Sequence, residues 1–202
     1  MPVVDGREYR SFAVENFKAA ETEGTEPSYI VEGYATTFDK PYDFGRNGVQ
    51  EMICRDAFEN ADMSDIIFQY NHEGMVLARM RNNTLTVTPD DHGLFCRADL
   101  SGSVEGRNLF EAITNGLVDR MSWGFTVADD GWDFDREQRL STIRKVDKIY
   151  DVSAVSIPAN EATEISARSY FDGVIEAEQQ ELLQRSKEAD RRRRIAIRAK
   201  LG

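Results

Sequence analysis

The chain has 202 residues and a formal net charge of −11, and its length allows one domain with a full hydrophobic core plus an appendage. Apolar residues make up 41% of the sequence and charged residues 30%, a composition that excludes a disordered chain and an integral membrane protein. The first ten residues lack the basic start and apolar run of a secretion signal, so we expect the protein to stay in the compartment where it is made.

Short β-rich runs separated by turn residues fill the sequence up to Ile157, a pattern typical of a sandwich or barrel rather than a repeated βαβ unit. Two segments break this pattern. A short helix is predicted around Asp56–Ala61, and a longer helix at Ser103–Asn115 begins at a capping serine and ends at Gly116. We therefore predict a mainly β fold with helices (α+β), a closed or partly closed β-barrel flanked by short helices. The predicted strands are Glu8–Val14, Ser28–Phe38, Val49–Ile53, Ile66–Asn71, Thr84–Thr88, Leu94–Leu100, Arg120–Ala128, Leu140–Lys145 and Lys148–Ile157.

A tight turn is predicted between two of these strands, in the sequence PDDHG at residues 89–93. Proline, aspartate and glycine supply the backbone angles of such a connection, so the two neighbouring strands should form a hairpin. His92 is then a turn residue. This assignment leaves His72 as the remaining histidine of the two in the chain.

The character of the sequence changes after Pro158-Ala159-Asn160, and from Val174 onward the sequence is typical of a charged helix. We predict two regions, a domain at 1–172 and a charged helical tail at 173–202. Residues 174–202 carry eight Lys or Arg against five Asp or Glu, a net charge of +3, which leaves −14 on the first 173 residues. The acidic body argues against nucleic acid as the main ligand. The tail contains the basic block Arg191–Arg194 and few apolar residues, so it either docks on a partner or remains solvated.

The two cysteines, Cys54 and Cys96, lie in short apolar runs, where free buried thiols are expected. Neither cysteine has the spacing of a metal ligand, and two histidines are too few to complete a Cys/His zinc site without distant carboxylates. We therefore expect no structural metal.

His72 and Ser122 are the candidates for general base and nucleophile. His72 ends the apolar run 66–71, where a strand leaves the sheet and enters a loop, and imidazole is the side chain best suited to accept a proton at neutral pH. Ser122 is a single hydroxyl among Met121, Trp123 and Phe125. By position alone, each residue also fits a structural role, the serine as the solvent-facing residue of an alternating strand.

An acid is needed to orient the imidazole and stabilise its protonated form, and Asp151 is our choice. Asp151 stands at the head of a strand of small and apolar residues, where a carboxylate is rarely placed without a partner. By sequence, Asp147, Glu73 and Asp119 remain alternatives.

Six short motifs follow one another along the chain. They are Gly33-Tyr34-Ala35 with Phe38, Glu51-Met52-Ile53 with Ala57-Phe58, Asn71-His72, Gly93-Leu94, Gly116-Leu117 with Met121-Ser122-Trp123-Gly124-Phe125, and Asp151-Val152-Ser153-Ala154-Val155 with Pro158-Ala159.

In this order the motifs resemble the prohead protease family of tailed bacteriophages, whose members are related in fold to the herpesvirus capsid-assembly proteases. The resemblance covers roughly residues 28 to 165, and its most specific motif is the Met-Ser-aromatic-Gly-Phe element. Cys54, Asp56 and Ala78 depart from the family pattern of Pro, Gly and Gly, which concerns local backbone shape.

The resemblance implies a serine endopeptidase in which Ser122 attacks the scissile carbonyl, His72 shuttles the proton and Asp151 holds His72, with no cofactor. The implied substrates are the phage major capsid protein with its scaffolding region, and the protease itself. It also implies action inside the procapsid in the host cytoplasm and formation of a homo-oligomer, with no specific nucleic acid and no membrane partner. The tail would then serve packaging or self-removal.

Two other functions remain open from the sequence. A capsid-assembly scaffold or binding module could keep the same fold without catalysis, because fold does not fix function. A cysteine hydrolase could pair Cys54 or Cys96 with His72, although neither cysteine lies in an evident electropositive or helix-start setting that would favour its thiolate.

Overall fold

The computed structural model describes residues 7–13, 17–20, 28–44, 48–156 and 180–188. The chain divides into two compact units, Met1–Ile165 and Ser166–Gly202. The described part of the first unit consists of β-strands, one α-helix and two short 3-10 helices, so the prediction of a mainly β fold with helices is confirmed.

All nine predicted strands are present within two residues of their expected bounds over the part of the chain that is described. Four further strands were not predicted. Two of them have only two residues, and another has the sequence WDFD, whose aspartates are uncommon in strands. In chain order the described strands are β1 (Glu8–Ala13), β2 (Lys18–Ala19), β3 (Ile30–Thr37), β4 (Tyr42–Asp43), β5 (Gln50–Ile53), β6 (Ile67–Tyr70), β7 (Glu73–Arg79), β8 (Leu85–Pro89), β9 (Gly93–Asp99), β10 (Arg120–Val127), β11 (Trp132–Asp135), β12 (Leu140–Ile143) and β13 (Val146–Val155), and helix α1 is Val104–Thr114.

These strands form three sheets. The largest has the order β1-β10-β13-β6-β7, in which β13 and β6 are parallel and the other neighbours antiparallel. The second, β2-β3-β9-β8, is antiparallel throughout. The third, β11-β12-β5-β4, contains one parallel pair, β12 with β5.

The predicted closed barrel is not confirmed, because each sheet of the described strands is an open row with two edges. Alternating apolar residues require only that every strand present one face to a core. Packed open sheets satisfy that requirement as well as a barrel does, so the sequence pattern could not distinguish the two.

The predicted helix and hairpin are confirmed together with their local causes. The Ser103 hydroxyl caps α1 by accepting the Gly106 N–H at 2.9 Å, and Gly116 follows the helix with φ +69°. In the β8–β9 turn, the Asp90 carboxylate accepts the N–H groups of His92 and Gly93. The short helix predicted near Asp56–Ala61 is a 3-10 helix at Arg55–Phe58.

The two faces of β10 set the position of the core and of the polar side chains opposite it. Met121, Trp123 and Phe125 are fully buried, and the rings of Trp123 and Phe125 stack with their centroids 3.8 Å apart. Because side chains alternate along a strand, Ser122 and Gly124 point to the other face of the same sheet. The largest sheet therefore packs one face into the core and carries polar residues on the other.

In the second unit, residues 180–188 are helical, and Arg185 forms an ion pair with Glu181 at 2.7 Å, one turn away. The rest of the predicted tail, including Arg191–Arg194, lies outside the described residues. None of the helices in the described ranges is long and apolar enough to cross a membrane.

Candidate active site

His72 lies in the two-residue turn between β6 and β7, where the sequence predicts that a strand leaves the sheet. Asn71 and His72 have φ angles of 53° and 58°, the left-handed conformations that a type I′ hairpin turn requires and that Asn and His tolerate better than most residues. The Asn71 side chain accepts the Ser156 N–H at 3.2 Å, and the Asn71 N–H bonds to the Ala154 carbonyl at 2.9 Å. These bonds fix the turn to the end of β13 and thereby position the imidazole.

Ser122 lies in the middle of β10, opposite Ser11 of β1 and Ser153 of β13. It is fully buried, so it does not occupy the solvent-facing position that its strand pattern also allowed. A buried hydroxyl requires a hydrogen-bond partner. Its partner is His72, whose Nε2 is 2.7 Å from Ser122 Oγ.

Asp151 completes a line of three side chains. It lies on β13 opposite Gly124 and is buried, and its Oδ1 is 2.5 Å from His72 Nδ1. The structure thus brings together all three residues that the sequence singled out. The imidazole lies between a carboxylate on one ring nitrogen and a hydroxyl on the other.

This arrangement fixes the direction of proton transfer. Because the Asp151 carboxylate can only accept, the proton of His72 sits on Nδ1, and the lone pair of Nε2 faces the Ser122 hydroxyl. The hydroxyl can therefore donate its proton to Nε2. The resulting imidazolium would lie against the carboxylate, which stabilises its charge.

Two residues that were not predicted from the sequence contact the row of side chains formed by Asp151, His72 and Ser122. Ser153 Oγ donates to Asp151 Oδ1 at 2.9 Å, the same oxygen that faces His72. The Tyr9 ring packs edge-on against the His72 ring at 4.5 Å, and burial together with the Asp151 charge raises the pKa of the Tyr9 hydroxyl. The two-residue spacing of Ser153 from Asp151 on one strand was a usable signal, whereas nothing local pointed to Tyr9.

Gly124 provides the space that the carboxylate occupies. A Cβ atom at this position would lie 2.4 Å from Asp151 Oδ2 and 2.7 Å from Tyr9 Cε1, both far inside van der Waals contact. The absence of a Cβ atom at this position therefore lets two side chains approach the backbone of β10 closely.

We predict that Gly124→Ala lowers kcat by about 100-fold, because a displacement of about 1 Å in a catalytic group has that effect. The Cβ would push the Asp151 carboxylate away from His72. Steady-state hydrolysis of a substrate peptide measures the loss, and Gly102→Ala, where a Cβ meets nothing within 4 Å, is the matched control. Equal kcat values for the two variants would show that Gly124 does not position Asp151.

All three alternative acids are exposed residues. Asp147 is exposed on β13, Glu73 is exposed at the start of β7, and Asp119 is 72% exposed beside Arg120. His72 uses both ring nitrogens in its contacts with Asp151 and Ser122.

Both cysteines are free, and burial raises the pKa of each thiol, which disfavours the thiolate that a cysteine nucleophile needs. Within the described ranges, no cluster of three or more His, Cys, Asp or Glu could hold a metal ion.

The amides beside Ser122 belong to a strand that is paired on both sides. In an antiparallel ladder such N–H groups are already bonded to the neighbouring strands, here β1 and β13. They are therefore poor donors for an oxyanion.

Comparisons with known proteins match most of the chain. A family model described as caudovirus prohead serine protease matches residues 15–174. The prohead protease of Enterobacteria phage HK97 is 29% identical over 149 residues, covering 72% of this chain and 62% of that protein. The prohead protease of Escherichia phage T5 is 25% identical over 161 residues, covering 77% of this chain and 70% of that protein. No solved structure matches the chain.

Proposed function

The chain belongs to the caudovirus prohead serine protease family, and from this premise we propose that it is a serine endopeptidase that cleaves phage capsid and scaffold proteins during procapsid maturation. The observation that carries this proposal is the continuous line of contacts from Asp151 through His72 to Ser122. Proximity of a nucleophile, a base and an orienting acid is the recurring arrangement of serine hydrolases on unrelated folds.

The reaction follows from the atoms in contact. Ser122 Oγ attacks the scissile carbonyl carbon while its proton passes to His72 Nε2, and the negative charge moves to the carbonyl oxygen. The C–N bond then breaks as Nε2 returns the proton to the leaving amine, which gives an acyl-serine. Water, deprotonated by the same nitrogen, hydrolyses the ester and restores Ser122. Asp151 remains ionised throughout and offsets the imidazolium charge.

The proposed substrates are the major capsid protein with its scaffolding region and the protease itself, cut inside the procapsid in the host cytoplasm. We further propose that the enzyme forms a homo-oligomer and cleaves itself. We also propose that the protease domain ends near residue 172 and that residues 173–202 form a charged helical tail for packaging or self-removal. The family match that ends at residue 174 and the helix at 180–188 support this division.

Co-expression with the cognate capsid protein tests the proposed function. Wild type and Ser122→Ala are each expressed with the capsid protein, and intact mass spectrometry gives the chain masses of both proteins. We expect specific shorter chains with the wild type and full-length chains with the variant. Identical cleavage by both would remove Ser122 from the mechanism. Full-length chains from both would favour a non-catalytic scaffold.

A further inference from the structure

A cleft of about 430 Å³ lies beside the turn that carries His72. Tyr70, Met75 and Leu77 line it on the β6–β7 hairpin, and Leu109 and Ala112 line it on helix α1. A cavity of this size with mainly apolar walls is within the range of sites that bind ligands. Two lining residues, Tyr70 and Glu73, flank the turn that carries His72, so the cleft lies next to the residue proposed as the base.

The wall formed by β7 is an edge strand of its sheet among the described strands. Glu73–Val76 are four consecutive exposed residues, with Met75 56% and Val76 40% exposed. Edge strands are usually protected by charged or covered positions, because their free N–H and C=O groups accept another strand. An exposed apolar edge that faces a cleft is instead the geometry for adding an extended peptide.

The cleft is also negatively charged. Glu73 and Glu105 lie on its opposite walls, and no lysine or arginine is among the described residues that line it. An extended peptide with a basic side chain complements these carboxylates, whereas an acidic one is repelled.

We propose that this cleft binds an extended segment of the substrate next to the scissile bond, adding it as a strand to the edge of β7. The segment carries an apolar side chain against Leu77, Leu109 and Ala112, and a Lys or Arg between Glu73 and Glu105. This inference rests on the proposed function, because it places the bound chain beside the catalytic His72.

The proposal is tested by measuring peptide binding to the Ser122→Ala protein, which lacks the proposed nucleophile and therefore leaves the peptide intact. Two short fluorescent peptides are used, one alternating Leu with Lys and the other Leu with Glu, and fluorescence anisotropy gives their Kd values. We expect the Lys peptide to bind at least tenfold more tightly. The change Glu73→Gln with Glu105→Gln should weaken its binding about threefold to tenfold, the effect of losing two exposed charge pairs.

Glu111→Gln is the matched control, because Glu111 is exposed on the same helix but is not among the residues lining the cleft. It should leave the Kd unchanged. An equal loss in Glu111→Gln, or equal affinity for both peptides, would overturn the proposal by reducing the binding to general attraction toward an acidic protein.

N-methylation of the peptide backbone tests strand addition separately. Alternate N–H groups of an added strand face the edge of β7. Methylating one alternate set should abolish binding, and methylating the other should have little effect. Equal effects of the two sets would exclude strand pairing. Because binding to the Ser122→Ala protein needs no cleavage, peptide binding without capsid processing would refute the proposed function alone, and processing without peptide binding would refute the cleft proposal alone.

Discussion

Replacing Asp151 with asparagine is expected to lower kcat by about 10³- to 10⁴-fold, the loss seen when a triad carboxylate is neutralised. The amide keeps the size of the side chain, and its oxygen can still accept from His72 and from Ser153. It carries no charge, however, so the imidazolium formed during proton transfer loses its counterion. The loss corresponds to about 4–5 kcal/mol of transition-state stabilisation.

Asp147→Asn is the control, since Asp147 is an exposed aspartate on the same strand, four residues away. Its kcat should equal that of the wild type. Thermal unfolding of both variants separates chemistry from folding, and neither midpoint should fall far, because Asp151→Asn removes a buried charge. If Asp151→Asn and Asp147→Asn hydrolysed a substrate peptide equally fast, Asp151 would have no role in the reaction.

The largest expected effect on stability comes from the buried ion pair between Arg10 and Glu51. Arg10 Nε and Nη2 donate to the two carboxylate oxygens at 2.5 and 3.0 Å, and Tyr42 donates to the same carboxylate. Arg10 and Glu51 are both fully buried, with exposed fractions of 1% and 0%. Burial lowers the pKa of the Arg10 guanidinium, but the charge and hydrogen bonds of Glu51 together with the charges of Tyr42 and Glu8 outweigh burial and raise that pKa, so the group stays charged.

We predict that Glu51→Leu destabilises the fold by about 3–5 kcal/mol, because it removes the fully buried counterion of the guanidinium and leaves the partly exposed Glu8, at 3.1 Å, as its acidic partner. The double variant Arg10→Met with Glu51→Leu should recover most of this loss, since the guanidinium is then absent and the charge that loses its partner, Glu8, is partly exposed. Urea unfolding measures both free energies.

Asp133→Asn serves as the surface control. Asp133 pairs with Arg144 at 3.0 Å with both side chains more than half exposed, so the variant should change the unfolding free energy by less than about 1 kcal/mol. A Glu51→Leu protein as stable as Asp133→Asn would show that the buried pair does not stabilise the fold.

The buried ion pair between Arg10 and Glu51 also affects the candidate active site. Arg10 neighbours Tyr9 on β1, and the guanidinium lies over the Phe44 ring at 4.5 Å. Alternation places Arg10 in the core and Tyr9 on the opposite face, against His72. The ion pair therefore holds in place the strand whose tyrosine packs on the imidazole.

Local features of the fold could be predicted because their causes are local. Helix α1 begins at a serine that caps it, and the β8–β9 turn is set by Asp90, so each was visible in a few residues. The order of the strands within each sheet could not be predicted from the sequence. The parallel pairing of β13 with β6 joins segments distant in sequence, and β7, with the sequence EGMVLAR, has consecutive apolar residues and no alternating signal.

The residues of the candidate site likewise divide into those that could be predicted from the sequence and those that could not. His72 and Ser122 could be proposed from their residue types and strand positions, and Asp151 from an acid in an apolar strand. Tyr9 could not, because it reaches the imidazole only through the pairing of β1 with β10. The cleft could not be predicted either, because its walls are formed by β7 and α1, two segments whose contact depends on the tertiary fold.

Covalent trapping of the nucleophile tests the central claim most directly. A fluorophosphonate loses fluoride as the serine oxygen bonds to phosphorus, and peptide mass spectrometry locates the adduct. The account predicts one adduct, on Ser122, in protein that processes the capsid protein, and loss of labelling together with processing in His72→Ala. Protein that processes the capsid protein yet carries its adduct on another residue, or labels Ser122 equally well without His72, would contradict it.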